Sequence, residues 1–222
     1  MDKALQTNPD PTAYSWLVFY HQLNGDNTQA MQQAKQIIAR WPLYWPGRAV
    51  LGDLLRDRGD PAGAIREEER ILEQDPQNLQ ALAFLARAHM DSGDLSKARL
   101  ALERARKEDR QNYRLRQYWA LLLALEGRKT EASREMDKEV QAYAGVYFRG
   151  PLLAAEFYAA LGDPAKALEW MDRAVRLGDD RDELFRRDPL LASIRNDPRF
   201  QQMLASVAYR RKQRPQAGSP SR

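Results

Sequence analysis

Apolar residues along the chain recur at the i, i+3, i+4, i+7 spacing of amphipathic helices, in short blocks separated by glycine-centred turns. The clearest block runs from Leu79 to Arg110. Its first half puts Leu82, Leu85, Ala86 and His89 on one stripe, and its second half answers with Ala98, Leu102 and Ala105. Between them, Gly93 suits a left-handed helix terminus and Asp94 can cap the next helix, so the spacing predicts a helical hairpin. One hairpin buries too little apolar surface to fold alone, and this one recurs. Gly25, Gly59, Gly93 and Gly127 lie 34 residues apart, and an alanine stands five residues after each: Ala30, Ala64, Ala98 and Ala132.

A 34-residue helix-turn-helix period carrying W-x2-L-G-x2-Y, then A-x3-F, then P, is the tetratricopeptide signature. Tyr14, Leu17, Val18, His21, Ala30, Ala34, Ile37 and Pro42 fill it once, and Leu51-Gly52, Leu55, Ala64, Ile71 and Pro76 fill it again. Trp119, Ala120, Leu123, Ala132 and Met136 give a later copy, and Ala154, Ala155, Tyr158, Gly162, Ala167, Met171 and Ala174 give one set a residue late. The sequence resembles tetratricopeptide repeats throughout, with Arg48 and Arg116 departing from the usual large apolar first position. The resemblance implies an all-α, right-handed superhelical solenoid of antiparallel helix pairs closed by C-terminal capping helices. Five repeats are expected at about 11–44, 45–78, 79–112, 113–147 and 148–181, with the second helix of the fourth running long from Met136 to Tyr147. Capping helices follow at 182–209, started by Asp188-Pro189 and Asp197-Pro198. Residues 210–222 read as a disordered basic tail. Residues 1–10 read as the end of a preceding, truncated repeat or as a short N-terminal cap. The string around DPLLASIR and DPRFQQML is similar to the segments that close such repeats in bacterial serine/threonine kinases, winged-helix regulators and adenylate cyclases.

Composition changes this picture little. No cysteine is present, which removes disulfides, thiolate nucleophiles and cysteine-ligated zinc. Net charge is +4, yet residues 181–222 hold ten Lys or Arg against four Asp or Glu, so the basicity is local and makes nucleic acid an improbable partner of the solenoid. No run approaches the roughly 20 apolar residues of a membrane span, and a cytoplasmic location is the default expectation.

Catalytic chemistry is not evident. No H-E-x-x-H, Walker loop, G-x-G-x-x-G or G-x-S-x-G string occurs. The two histidines, His21 and His89, both fall at the repeat position of a packing tyrosine, so no metal or cofactor is assigned to them. The run REEER at 66–70 reads as a solvated helix face. The resemblance instead places a partner-binding groove along the first helix of each repeat, where Phe19, Asp53, Phe84, Arg87, Arg114, Gln117 and Leu121 are the candidate site residues. Asp53 and Arg87 occupy equivalent places one repeat apart and are expected either to pair with each other or to flank a peptide. Trp16, Val50, Phe84, Tyr118 and Leu153 form an apolar rib at a position usually polar in the family. These observations predict a non-catalytic protein-interaction scaffold that binds a peptide or helix. A regulatory segment of a larger bacterial signalling protein and an enzyme with an unrecognised groove site are the alternatives.

Overall fold

The computed structural model describes residues 10–147 and 149–213, and among them every regular element is helical. Five consecutive helix pairs form an all-α solenoid. They are α1 (Pro11–Leu23) with α2 (Asn27–Arg40), α3 (Trp45–Asp57) with α4 (Pro61–Gln74), and α5 (Leu79–Asp91) with α6 (Leu95–Glu108). Next come α7 (Tyr113–Leu125) with α8 (Lys129–Glu135), then α9 (Lys138–Val146), and then α10 (Gly150–Leu161) with α11 (Pro164–Arg176). A short α12 (Asp182–Arg187), a 3-10 turn (Pro189–Leu191) and α13 (Pro198–Gln213) complete the order.

The turns form as their residues dictate. Gly25, Gly59, Gly93, Gly127 and Gly162 all have positive φ, which ends the first helix of each pair without Cβ strain. The aspartate that follows caps the second helix in four of the five: Asp26, Asp60, Asp94 and Asp163 accept from the backbone N–H three residues on. Proline at the first position of α4 and α11 costs no hydrogen bond there.

The second helix of the fourth pair is broken rather than long. Asp137 accepts from the N–H groups of Glu139 and Val140 and starts α9 as a new helix. Arg116, at the departure from the apolar first position, donates to Glu135 and Asp137 and holds the break. The C-terminus differs as well. α13 continues to Gln213 because Arg210 pairs with Asp180 and Arg211 with Asp182, so residues 210–213 are helix, not tail. Residues 1–9 and 214–222, where the truncated-repeat and tail expectations fall, lie outside the described residues, except that Asp10 caps α1.

The core follows the alanine ladder. Ala30, Ala98, Ala132 and Ala167 are fully buried and Ala64 nearly so, each within the first two turns of the second helix of its pair, where an added side chain has no solvent to enter. Ala98→Leu is therefore expected to lower the unfolding free energy by about 1 to 3 kcal/mol through overpacking. Leu100, 61% exposed on the same helix, is the control. Leu100→Ala should leave the unfolding free energy within about 0.5 kcal/mol of the parent. Equal midpoints for the two variants would contradict the packing. Ala101 would be a poor control, since it too belongs to the core.

The apolar rib divides along the solenoid. Trp16 is 67% exposed, Val50 and Phe84 are half-buried, and Tyr118 and Leu153 are buried. From the second pair onward these side chains fill space between adjacent helix pairs.

Candidate functional site

The first helices of the pairs line the inner face, and their polar side chains are already engaged. Gln22 of α1 donates to Asp53 at 2.9 Å and to Asp57 at 2.7 Å. Arg56 of α3 donates to the same two carboxylates, at 3.2 and 2.8 Å. From across the groove, Arg149 pairs with Asp53 and donates to Gln22 at 2.9 Å, while Arg181 reaches Asp57 at 3.0 Å and Arg187 donates to the Asp57 carbonyl. Burial pushes the Asp57 carboxyl up, but the Arg181 and Arg56 guanidiniums outweigh it and hold the group below the usual carboxylate range.

A second cluster centres on Arg87 of α5. Its guanidinium donates to Asp91 at 2.9 Å, holds Glu156 of α10 through both terminal nitrogens, and stands 3.6 Å from Asp188. Glu156 is fully buried, and Asp188, beside the 3-10 turn, is 3% exposed. Three carboxylates share this one cation. Burial and the neighbouring Asp188 raise the Glu156 carboxyl to about 7 despite Arg87. In consequence the segment 179–188 lies against the inner face and is tied there by Arg181, Arg187 and Asp188.

Asp53 and Arg87 therefore do not pair with each other: each has its own set of partners. Gln117 is fully buried and donates to the Gly150 carbonyl at 3.0 Å, and Leu121 is a core residue. Phe19 is half-buried with the Arg149 guanidinium over its ring, and Phe84 is half-buried beside Gly52, Arg87 and Tyr118. Of the seven candidates, Arg114 lines open space. It borders a cleft of about 740 Å³ walled by Trp45, Leu79, Tyr113 and Tyr143, with Gln80 on its floor. Arg114 donates to Gln80 at 3.3 Å, and its guanidinium sits 4.4 Å from the centroid of Tyr147, which stacks on Tyr143. A planar cation held among tyrosines offers a partner both a charge-assisted hydrogen bond and flat apolar area.

The residues that fill the groove are ones the sequence did not assign to it: Asp57, Arg149, Glu156, Arg181 and Asp188, the last read only as the start of a capping helix. Glu156 left a signal. It is the one charged residue in α10, and a lone charge in an apolar helix needs a buried partner. The reading of 66–70 as solvated is corrected too. Glu67 and Glu68 are buried; Glu67 accepts from Arg48 and Arg70, whereas both Glu68 oxygens lack a hydrogen-bond partner. Burial and the adjacent Glu67 push the Glu68 carboxyl well above its ordinary range.

The histidines sit as packing residues: His89 is 7% exposed, and burial lowers its imidazole, while His21 is half-buried with Nδ1 3.7 Å from Asp26. Among the described residues no group of three or more His, Asp or Glu could hold a metal ion, and no helix is long and apolar enough to cross a membrane.

Solved structures share this fold at low identity. A thermophilic TPR protein of Thermus thermophilus superposes with a TM-score of 0.61 at 16% identity, over 90% of this chain and 100% of that one. A tetratricopeptide repeat protein from Parabacteroides merdae gives 0.55 at 13%, over 95% and 82%. Pseudomonas aeruginosa pilF gives 0.53 at 16%, over 91% and 90%. No curated protein matches the chain in sequence. Three family profiles, each described as tetratricopeptide repeat, match residues 21–78, 55–125 and 152–173. With the 34-residue register, the glycine turns and the paired helices, these matches place the chain in the tetratricopeptide repeat family.

Proposed function

We propose that the protein is a non-catalytic interaction scaffold that takes a peptide or helix from a protein partner at the open edge of its inner face. The observation that carries this reading is the division of the inner face. Asp53, Arg87, Gln117 and Leu121 are buried and internally partnered, whereas Arg114 with Trp45, Tyr113 and Tyr143 borders open space. Tryptophan, tyrosine and arginine are the residues that dominate binding energy at protein interfaces. The cleft suits a segment that lays apolar or aromatic side chains on the tyrosines and presents a carboxylate or backbone carbonyl to Arg114.

Selection of displayed peptides on the immobilised protein tests the reading. Arg114→Glu combined with Tyr113→Ala should weaken the selected peptides by about tenfold or more, a loss of at least about 1.4 kcal/mol. Tyr113 is 41% exposed and Arg114 half-buried at the cleft edge, so the variant should keep its helicity, and circular dichroism checks that it does. Peptides that bind parent and variant equally would put recognition elsewhere on the molecule.

A further inference from the structure

Three residues of the cleft beside Arg114 form a ladder. Trp45, Leu79 and Tyr113 stand 34 residues apart, and each is the first residue of its helix, α3, α5 and α7. Because α3 touches α5 and α5 touches α7, the three side chains line the cleft in order, about 8 to 10 Å from one to the next, the usual distance between packed helix axes. Trp45 and Leu79 are half-buried and Tyr113 is 41% exposed, with its ring 5.8 Å from that of Tyr143. The polar groups beside these rungs are chiefly donors. The Gln80 oxygen accepts from Arg114, which leaves the amide hydrogens for a ligand, and Trp45 adds an indole N–H. Asp75 and Asp109 also border the cleft, but backbone N–H groups and asparagine side chains of their own loops engage them.

Rung spacing and donor excess together select the occupant. A polyproline II helix has three residues per turn and rises about 3.1 Å per residue, so it returns a side chain to one face about every 9.3 Å and stays in step with all three rungs. An extended strand repeats a face about every 6.8 Å, and two turns of an α-helix span about 10.8 Å, so both fall out of step by the third rung. Proline carries no N–H, and a proline-rich segment therefore presents carbonyl acceptors alone, which the donors of the cleft can meet. Among the described residues Arg114 is the one cation lining the cleft, and it follows Tyr113 directly, so charge complementarity puts a carboxylate at that end of the segment. Resting on the reading of this cleft as the partner site, we infer that its ligand is a proline-rich segment in the polyproline II conformation, with prolines at three-residue spacing on Trp45, Leu79 and Tyr113 and an acidic residue against Arg114.

Fluorescence anisotropy of a labelled peptide of nine prolines followed by one glutamate, titrated with the full 222-residue chain up to about 1 mM, tests this. Saturable binding is expected, and Tyr113→Ala should weaken it at least about fivefold with helicity unchanged. Replacing the peptide's glutamate with glutamine should weaken binding about three- to tenfold for the parent and hardly at all for Arg114→Gln. A glycine-serine peptide of the same length, also ending in glutamate, should bind at least about tenfold more weakly, because it brings the charge without a preformed backbone. No binding of the proline peptide up to about 1 mM overturns the inference, as does equal binding of the glycine-serine peptide or indifference to Tyr113→Ala. That failure is separable from failure of the cleft itself. Displayed peptides that depend on Arg114 and Tyr113 yet lack prolines at three-residue spacing overturn the occupant alone, whereas selected peptides indifferent to both residues overturn the cleft with it.

Discussion

Arg87→Met is expected to lower the unfolding free energy by about 3 to 5 kcal/mol at pH 8, the largest effect of any single substitution considered for this protein. The side chain is 5% exposed and is the cation for Asp91, Glu156 and Asp188, two of which are themselves buried. Removing it leaves Glu156 and Asp188 with their desolvation cost and no compensating charge. Sequence position alone suggests a groove-rim arginine, whose loss would slow association and leave stability intact. The structure reverses that expectation, because the guanidinium braces the inner face from α5 to α10 and to the 3-10 turn. Urea midpoints at constant m-value would measure the loss, and the double variant Arg87→Met, Glu156→Gln should recover part of it by removing one stranded charge. A change below about 1 kcal/mol in the single variant would show that the three carboxylates are solvated after all.

Leu121 makes the same point in the apolar direction. As a groove residue its truncation would affect a partner alone; as a fully buried core side chain, Leu121→Ala costs stability first. The difference lies in what a repeat register can encode. Glycine turns, aspartate caps and the alanine ladder are local, so Gly93, Asp94 and Ala98 announce the hairpin and its period from sequence alone. Curvature is the sum of small rotations between pairs, and it decides which first helices meet across the groove. Nothing in the immediate neighbourhood of Arg87 marks Glu156, 69 residues away, as its partner. The break at Met136 was closer to legible, since Asp137 followed by Glu139 and Val140 is a capping aspartate before an amphipathic turn. Glu68 was hidden because a charge run on a second helix is usually solvated, and its burial depends on the approach of Gly52 on the facing helix.

The pH dependence of stability should carry the signature of Glu156. Its folded-state carboxyl, raised to about 7 by burial and by Asp188, lies above the ordinary 4.5, so the folded chain holds a proton that the unfolded chain has released. Stability from this group is therefore greatest at or below about pH 4.5, falls as pH rises through 7, and levels off above it. The gap corresponds to about 3 kcal/mol between those limits. Glu68, also raised, adds in the same direction, whereas the lowered carboxyl of Asp57 acts only on the acid side, where its stabilisation is lost as pH falls below the ordinary 3.8. Glu156→Gln keeps the shape of the protonated group and cannot ionise, so the stability difference between variant and parent should grow from pH 5 to pH 8 in favour of the variant. The proton also bears on the groove. Each ionised Glu156 faces Asp188 across a single shared guanidinium, and Asp188 anchors the segment that lies against the inner face. At pH 8 limited proteolysis around Arg186 and Arg187 should be faster in the parent than in Glu156→Gln, with both chains at the same pH so that the protease itself is constant. Equal cleavage rates, or a stability difference that does not change with pH, would show that Glu156 stays ionised beside Arg87 throughout and that the segment is held independently of that proton.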